Sequence, residues 1–578
     1  MLTLPGGRSA TDSVPDRGHE PSSHPGQCSV SLRFGSTFDT LIRSNRCRLY
    51  IGIAISTLLF WPLPLLHGRK TYTLAAFAVM LPFQFPQAIA VSGYRQPYSV
   101  LARVGLLLPR ALTGLVMGFA NINFLPTLLD LFGASLMSEK PHQEVVVKED
   151  VRRQGGGIGL WLGIWCWCYI GSLSVGFCIG ACIISKLNPA WGFYIVIILL
   201  AFFLFVNVVA PETRPSPYRR SLIHFFDLSG TTIKQRLARG EVKLHISNTG
   251  PKWWLEEVNA GITLTCRMFF QPGFFLMAIY LAWIYAQVVL IICLLGALLS
   301  RDYKFRATYV GLATLSLAIG AFLAVPLTHA NMFSRSRFIP QRTDSMTFKH
   351  KHFIWTSHML RRCIFTLTLP LAGLAYTLTS PGPVMQWTAP VIFAGLIGFL
   401  SNLAISECIG LIMETFDTCD LQPGINSLHP SAQTKQRRTH YSSFPRVCAG
   451  FFAAQSLGFF LAAAATAVSG TMTRAIGAQI STAVVAGILL LLTLLLLIVL
   501  FRWKSVQVIP DGIVAEIRRK SVMERFAEGD RRSEWKAVVI GNPSGKMRRM
   551  NFLETGRWSR WSEIRRLNLL EQEEKLDE

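Results

Sequence analysis

Apolar residues in this chain gather into long unbroken runs, without the alternation that marks elements half-buried in a water-soluble domain. Two neighbouring runs set the pattern. The first, from Gly156, reads GGIGLWLGIWCWCYIGSLSVGFCIGACIIS without a charged side chain. The second, WGFYIVIILLAFFLFVNVV, stops at Pro211-Glu212-Thr213-Arg214. Because a helix needs about 20 apolar residues to cross a bilayer, each run predicts a transmembrane helix. The short polar break between them predicts an antiparallel pair. The same signature recurs, so the predicted spans are 49–66, 72–92, 104–128, 158–185, 190–210, 272–299, 309–328, 362–379, 386–410, 448–470 and 476–501.

These eleven spans divide the chain. Residues 1–48, rich in Ser, Gly, Pro and Arg, read as a disordered tail without a secretory signal. Five spans fill 49–210, a central loop covers 211–271, six spans fill 272–501, and a basic tail occupies 502–578. Alternate loops carry the cations. Arg69-Lys70, Lys148, Arg152, Arg153, most of 211–271, Arg335 to Arg362, Lys435 to Arg446 and the Arg502-Trp503-Lys504 tail fall in one set. The other set holds only Arg95, Arg103, Lys186, Arg301, Lys304, Arg306 and Arg474. Positive charge collects on the cytoplasmic side, which puts the central loop and the carboxyl terminus there.

Composition removes other classes. With 51% hydrophobic and 16% charged residues over 578, a soluble multidomain enzyme is excluded. The net charge of +24 belongs to loops between spans, next to the lipid bilayer, and is not read as a nucleic-acid surface. The twelve cysteines show no framework spacing, and no cofactor or metal is implied. Lys349-His350-Lys351-His352 and His358 read as a solvated basic loop.

Polar groups at membrane depth are the candidate chemistry. Arg110 faces either an anionic part of a substrate or a carboxylate within the bundle, unless it snorkels to the interface. Gln84, Gln87, Asn121, Tyr280, Tyr285, Gln287 and Asn402 lie near mid-depth. There they orient a small-molecule substrate or bond neighbouring helices. Pro82 and Pro86 bracket Gln84 and interrupt its helix. Asp130, Glu407 and Glu414 fall near span ends, where interfacial solvation is expected; no mid-membrane Asp or Glu is found.

Small residues also recur. Gly163, Ser172, Gly176, Gly180 and Ala181 are expected mostly on one flank of their helix, as a packing seam. Their register resembles the fifth-helix antiporter motif of the major facilitator superfamily, with Ser172 in place of a Gly and Phe177 in place of the Pro. Leu66 to Leu74 resembles the second half of that family's signature between helices two and three. Gly68, Arg69 and Lys70 match it, while the acidic position holds Leu65, so the carboxylate that clamps the two bundles is missing from its usual place. Arg110-Ala-Leu-Thr-Gly114 resembles the fourth-helix R-x-x-x-G. The wording LPLLHGRK, LQPGINS and YSSFPRV is similar to fungal members grouped with drug or polyamine proton antiporters.

The resemblance implies an all-α integral membrane protein with the two-bundle fold, its spans split five and six where the family has six and six. The first helix is then the absent one, because the chain is a shortened product or because this branch does without it. It also implies a carrier, not an enzyme, moving a small organic solute by alternating access, with protons as a further partner if the movement is coupled. A receptor that kept the fold and lost coupling is the other reading, favoured by the incomplete loop signature and the missing carboxylates.

Overall fold

The computed structural model describes residues 47–92, 100–133, 158–213, 222, 254–270, 272–329, 332–333, 335–343, 350–416, 445–502, 506–507 and 549–550. Helices cover every apolar run. In chain order they are α1 (Cys47–Phe60), α2 (Leu63–His67), α3 (Lys70–Ser92), α4 (Val100–Phe132), α5 (Gly159–Lys186), α6 (Trp191–Val209), α7 (Trp254–Phe269), α8 (Pro272–Arg301), α9 (Ala307–Ala324), α10 (Met359–Leu378) and α11 (Thr388–Phe416). A last helical stretch, Pro445–Arg502, is broken at Gly477 into α12 (445–476) and α13 (478–502). Gly477 has φ +81°, a left-handed conformation that glycine adopts without a Cβ penalty, so the chain reverses there.

Eight described helices are long and apolar enough to cross a membrane, counting Pro445–Leu500 as one. Their outer faces fit lipid. Along α6, Phe202, Phe203, Phe205, Val206, Val208 and Val209 are all exposed, an apolar surface a water-soluble monomer does not carry. The interior lies in the second half of the chain, where α8 and α11 are buried over most of their length.

The helices alternate in direction, and contacts at their ends establish it. At one end the start of α3 meets the ends of α4 and α6 through Arg69, Asp130 and Glu212. At the same end the start of α10 meets the end of α11 through Arg361 and Glu407. At the opposite end Arg301 Nη1 donates to Thr473 O, and the Tyr303 hydroxyl lies 2.7 Å from Gly382 O.

Three departures from the sequence expectation stand out. Part of the supposed central loop is α7, an amphipathic helix burying Val258, Gly261, Leu264, Thr265 and Met268. That spacing of three and four is a helical signal in its own right. Second, the loop after α9 contains an antiparallel hairpin, β1 (Arg335–Thr343) with β2 (His350–Ser357), its register shifting between Ile339 and Arg342. His358, just after it, is buried at the start of α10, not solvated. Third, the first helix among the described residues includes Cys47 and Arg48, inside the supposed 1–48 tail, while residues 1–46 and most of 502–578 lie outside the described residues.

Candidate functional site

The cationic loop signature becomes a set of clamps at one end of the molecule. Gly68 has φ +97°, the turn that ends α2 and aims the next two amides at Glu212. Arg69 N and Lys70 N each lie 3.1 Å from a Glu212 carboxylate oxygen, an anion capping the positive end of α3. Arg69 Nε donates to Asp130 Oδ2 at 2.8 Å with both side chains buried, and Lys70 Nζ donates to Val208 O at the last turn of α6. The missing carboxylate is thus supplied from elsewhere in the chain. It also acts differently from the expectation, tying α3 to α4 and α6 within one half.

The second half repeats the device. Arg361 Nε donates to Glu407 Oε1, and its Nη atoms donate to His329 O and Thr328 O beyond the end of α9. Arg362 Nε lies 3.8 Å from Glu407 Oε2. Asp130 and Glu407 are therefore buried ion-pair partners, contrary to the solvated fate expected from their position, each enclosed where helices pack and held by a cation that offsets its lost hydration. The Glu414 side chain lies outside the described residues.

Contacts between the halves run in two seams. In one, α1 and α4 meet α12: Ser456 Oγ donates to Ala54 O at 2.7 Å, and Asn121 Nδ2 donates to Gln455 Oε1 at 2.9 Å. Gln455 Nε2 returns a bond to Asn121 Oδ1 at 3.4 Å. In the other seam α5 meets α9 and α11. Trp167 Nε1 donates to Ala318 O, Asn402 Nδ2 donates to Gly163 O and Ala321 O, and a Cβ on Gly163 would overlap Thr328 Oγ1. So α5 packs chiefly on the second half and touches α4 and α6 at few points.

Between the seams lies a cavity of about 800 Å³. It is framed by α1, α4, α5 and α12, and it runs from Arg110 to Thr73, Trp161 and Asn207 near the clamped end. Trp165, Tyr169, Phe124 and Phe459 supply aromatic wall, and Asn121 and Gln455 its reciprocal amide pair. The small residues of α5 explain the opening. Nine residues make two and a half turns of helix, so Ser172 points away from Gly163, whereas eighteen make five turns and return Ala181 to its face. Gly163 packs on Thr328, just beyond α9, and Ala181 on Gly311 of α9; Ser172 and Gly176 line the cavity, and a Cβ on Gly176 would meet nothing within 4 Å. The expected single flank is therefore two faces, with Gly180 buried beside the packed one.

The predicted site residues separate into groups. Arg110 and Asn121 line the cavity. Gln87 and Gln84 are buried behind Arg110: Arg110 Nη1 donates to Gln87 Oε1 at 3.4 Å, and both glutamines reach the Thr113 hydroxyl. Their amides also bond Met80 O and Phe83 O, carbonyls one turn back on their own helix. Tyr280, Tyr285 and Gln287 are buried in the second half; Tyr285 sits behind the cavity wall, against the rings of Tyr169, 4.8 Å away, and Phe459, 6.4 Å away. Asn402 pins three helices. Sequence reasoning passed over Gln455, Tyr169 and Trp165, whose helices read as uniformly apolar and gave no sign of which face opens.

No family model matches the chain. No curated protein matches it either. Among solved structures it is similar to the human organic anion transporter MFSD10 (TETRAN), at 14% identity over 79% of this chain and 83% of that one, with a TM-score of 0.43. It is also similar to the proton:xylose symporter XylE of the major facilitator superfamily bound to 6-bromo-6-deoxy-D-glucose, at 12% identity over 81% and 87% of the two chains, TM-score 0.46. A partially occluded inward open conformation of XylE from E. coli gives 12%, 80%, 87% and 0.43. At these identities and TM-scores the likeness says nothing about substrate or coupling.

The amide pair gives a first test. Asn121→Leu should cost about 1 kcal/mol, the scale of an interhelical hydrogen bond in lipid. It should also raise the labelling rate of Cys168, a cavity thiol, as the seam loosens. An unchanged rate would show that the pair does not hold the seam.

Proposed function

We propose that this chain is a multi-pass membrane carrier of the major facilitator kind, moving a small organic solute by alternating access. The observation that carries the reading is the cavity itself, an amphipathic chamber at membrane depth lying between two seams of short, breakable contacts. The seam of α1 and α4 with α12 joins the halves through a few hydrogen bonds, and the seam of α5 with α9 and α11 through a few more beside close helix packing. Within each half, buried ion pairs hold the helix ends rigidly. Rigid bodies with a breakable interface around a central site are what rocking needs. The carboxylates on Arg69 keep its loop tied to α4 and α6, so the first half retains a braced cytoplasmic end, which weighs for a carrier over a receptor that lost its machinery. The clamped ends belong on the cytoplasmic side, where the basic loops lie.

The test is flux. Purified protein in liposomes should move solute down its gradient, and a version keeping only Cys168 should react with impermeant maleimide from either face. Reactivity from one face only, with no flux of any solute, would leave a receptor. Flux that follows an imposed pH gradient marks proton coupling; flux indifferent to it marks facilitated diffusion. Arg110→Ala should reduce both binding and flux, and if it leaves both untouched, the site lies elsewhere.

A further inference from the structure

We infer that the cavity between α4 and α5 receives an elongated organic anion, its acidic head at Arg110 and its apolar body lying along α4 toward Asn121. This rests on the carrier reading and narrows its substrate class, against the polyamine half of the sequence expectation.

Among the described residues lining the cavity, Arg110 is the only charged side chain. A guanidinium keeps its charge at any physiological pH, and between apolar walls its field is weakly screened. Gln87, a neutral acceptor for its Nη1, helps orient the group. A polyamine would bring further positive charge to the same place, while a carboxylate matches the planar fork and forms a charge-assisted pair.

The wall beyond Arg110 fixes the shape of the rest. Arg110, Met117 and Asn121 share one face of α4, and eleven residues separate the first from the last, about 16 Å along the axis. Met117 and Phe459 make the middle apolar, suited to an aliphatic or aromatic body. On the same wall Tyr169, its ring 6.5 Å from that of Phe459, carries a buried hydroxyl with no hydrogen-bond partner among the described residues. A polar atom on the ligand's tail would satisfy a hydroxyl that is otherwise costly to bury.

A charge series on one skeleton tests this. The intact protein in detergent is titrated calorimetrically with 4-phenylbutyrate, 4-phenylbutanamide and 4-phenylbutylamine, with spermidine as the polyamine. The expected result is carboxylate binding about tenfold or more tighter than the amide, consistent with a charge-assisted pair, with the amine and spermidine weaker still. Arg110→Gln should abolish the preference and Arg110→Lys keep part of it. Equal binding across the series, preference for a cation, or no binding of the carboxylate would overturn the proposal, and none of these comparisons depends on a variant folding. Flux of other solutes without carboxylate binding would sink the anion class and leave the carrier. Carboxylate binding without any flux would keep the site and sink the carrier.

Discussion

Replacing Glu407 by glutamine is expected to cost about 3–5 kcal/mol of stability, the scale for breaking a buried ion pair. The carboxylate is buried between Arg361 and Arg362, both buried as well. Neutralising it leaves two positive charges against a weaker acceptor in a poorly solvated place. Removing Arg361 together with it should hurt less: Arg361→Met with Glu407→Leu takes this carboxylate from one buried cation, Arg362, where Glu407→Gln takes it from two. A double-mutant cycle read from thermal unfolding of the detergent-purified protein should therefore show strong coupling. Additive losses would mean that the pair contributes through packing alone. Asp130→Asn in the first half should behave alike but more mildly, because Glu212 also neutralises that corner through the amides of Arg69 and Lys70.

The second large effect is steric. Gly320→Val should cost about 3 kcal/mol and yield mostly misassembled protein by size-exclusion chromatography. A Cβ on Gly320 would overlap the carbonyl oxygen of Gly395, and one on Gly398 would overlap that of Leu317. These are backbone atoms on both sides, so no rotamer change relieves the clash. In lipid, where apolar side chains gain little by leaving the solvent, such close backbone approach supplies the packing between α9 and α11. Gly176→Ala is the control on the neighbouring helix: its Cβ would enter open cavity, so the fold should tolerate it. Equal damage from both substitutions would refute the distinction between packed and cavity-facing glycines.

The helices were legible in advance because crossing a bilayer demands uncharged runs, and such runs have no other common cause. Helix α7 was missed for the converse reason. Its apolar residues are spaced at three and four and diluted by Glu256, Glu257 and Arg267, a weaker signal beside the long runs. The candidate site was partly visible. Arg110 and Asn121 stood out as polar groups in apolar surroundings, and both border the cavity. Tyr280, Tyr285 and Gln287 stood out for the same reason and lie in the interior of the second half. Depth along a helix can be counted from sequence; which way a residue faces depends on what packs there.

The chain by itself determined which segments are helical and apolar, because polar groups are costly to bury in hydrocarbon, and the grouping of cations in alternate loops, because positive charge collects on one side of the membrane. The tertiary structure alone decided the pairings: that Asp130 and Glu212 serve Arg69, that Glu407 serves Arg361, and that α5 leans on the second half and leaves a cavity beside α4. Those outcomes join residues dozens of positions apart, and they turn on close steric fit and electrostatic pairing between helices, which no single run of sequence encodes.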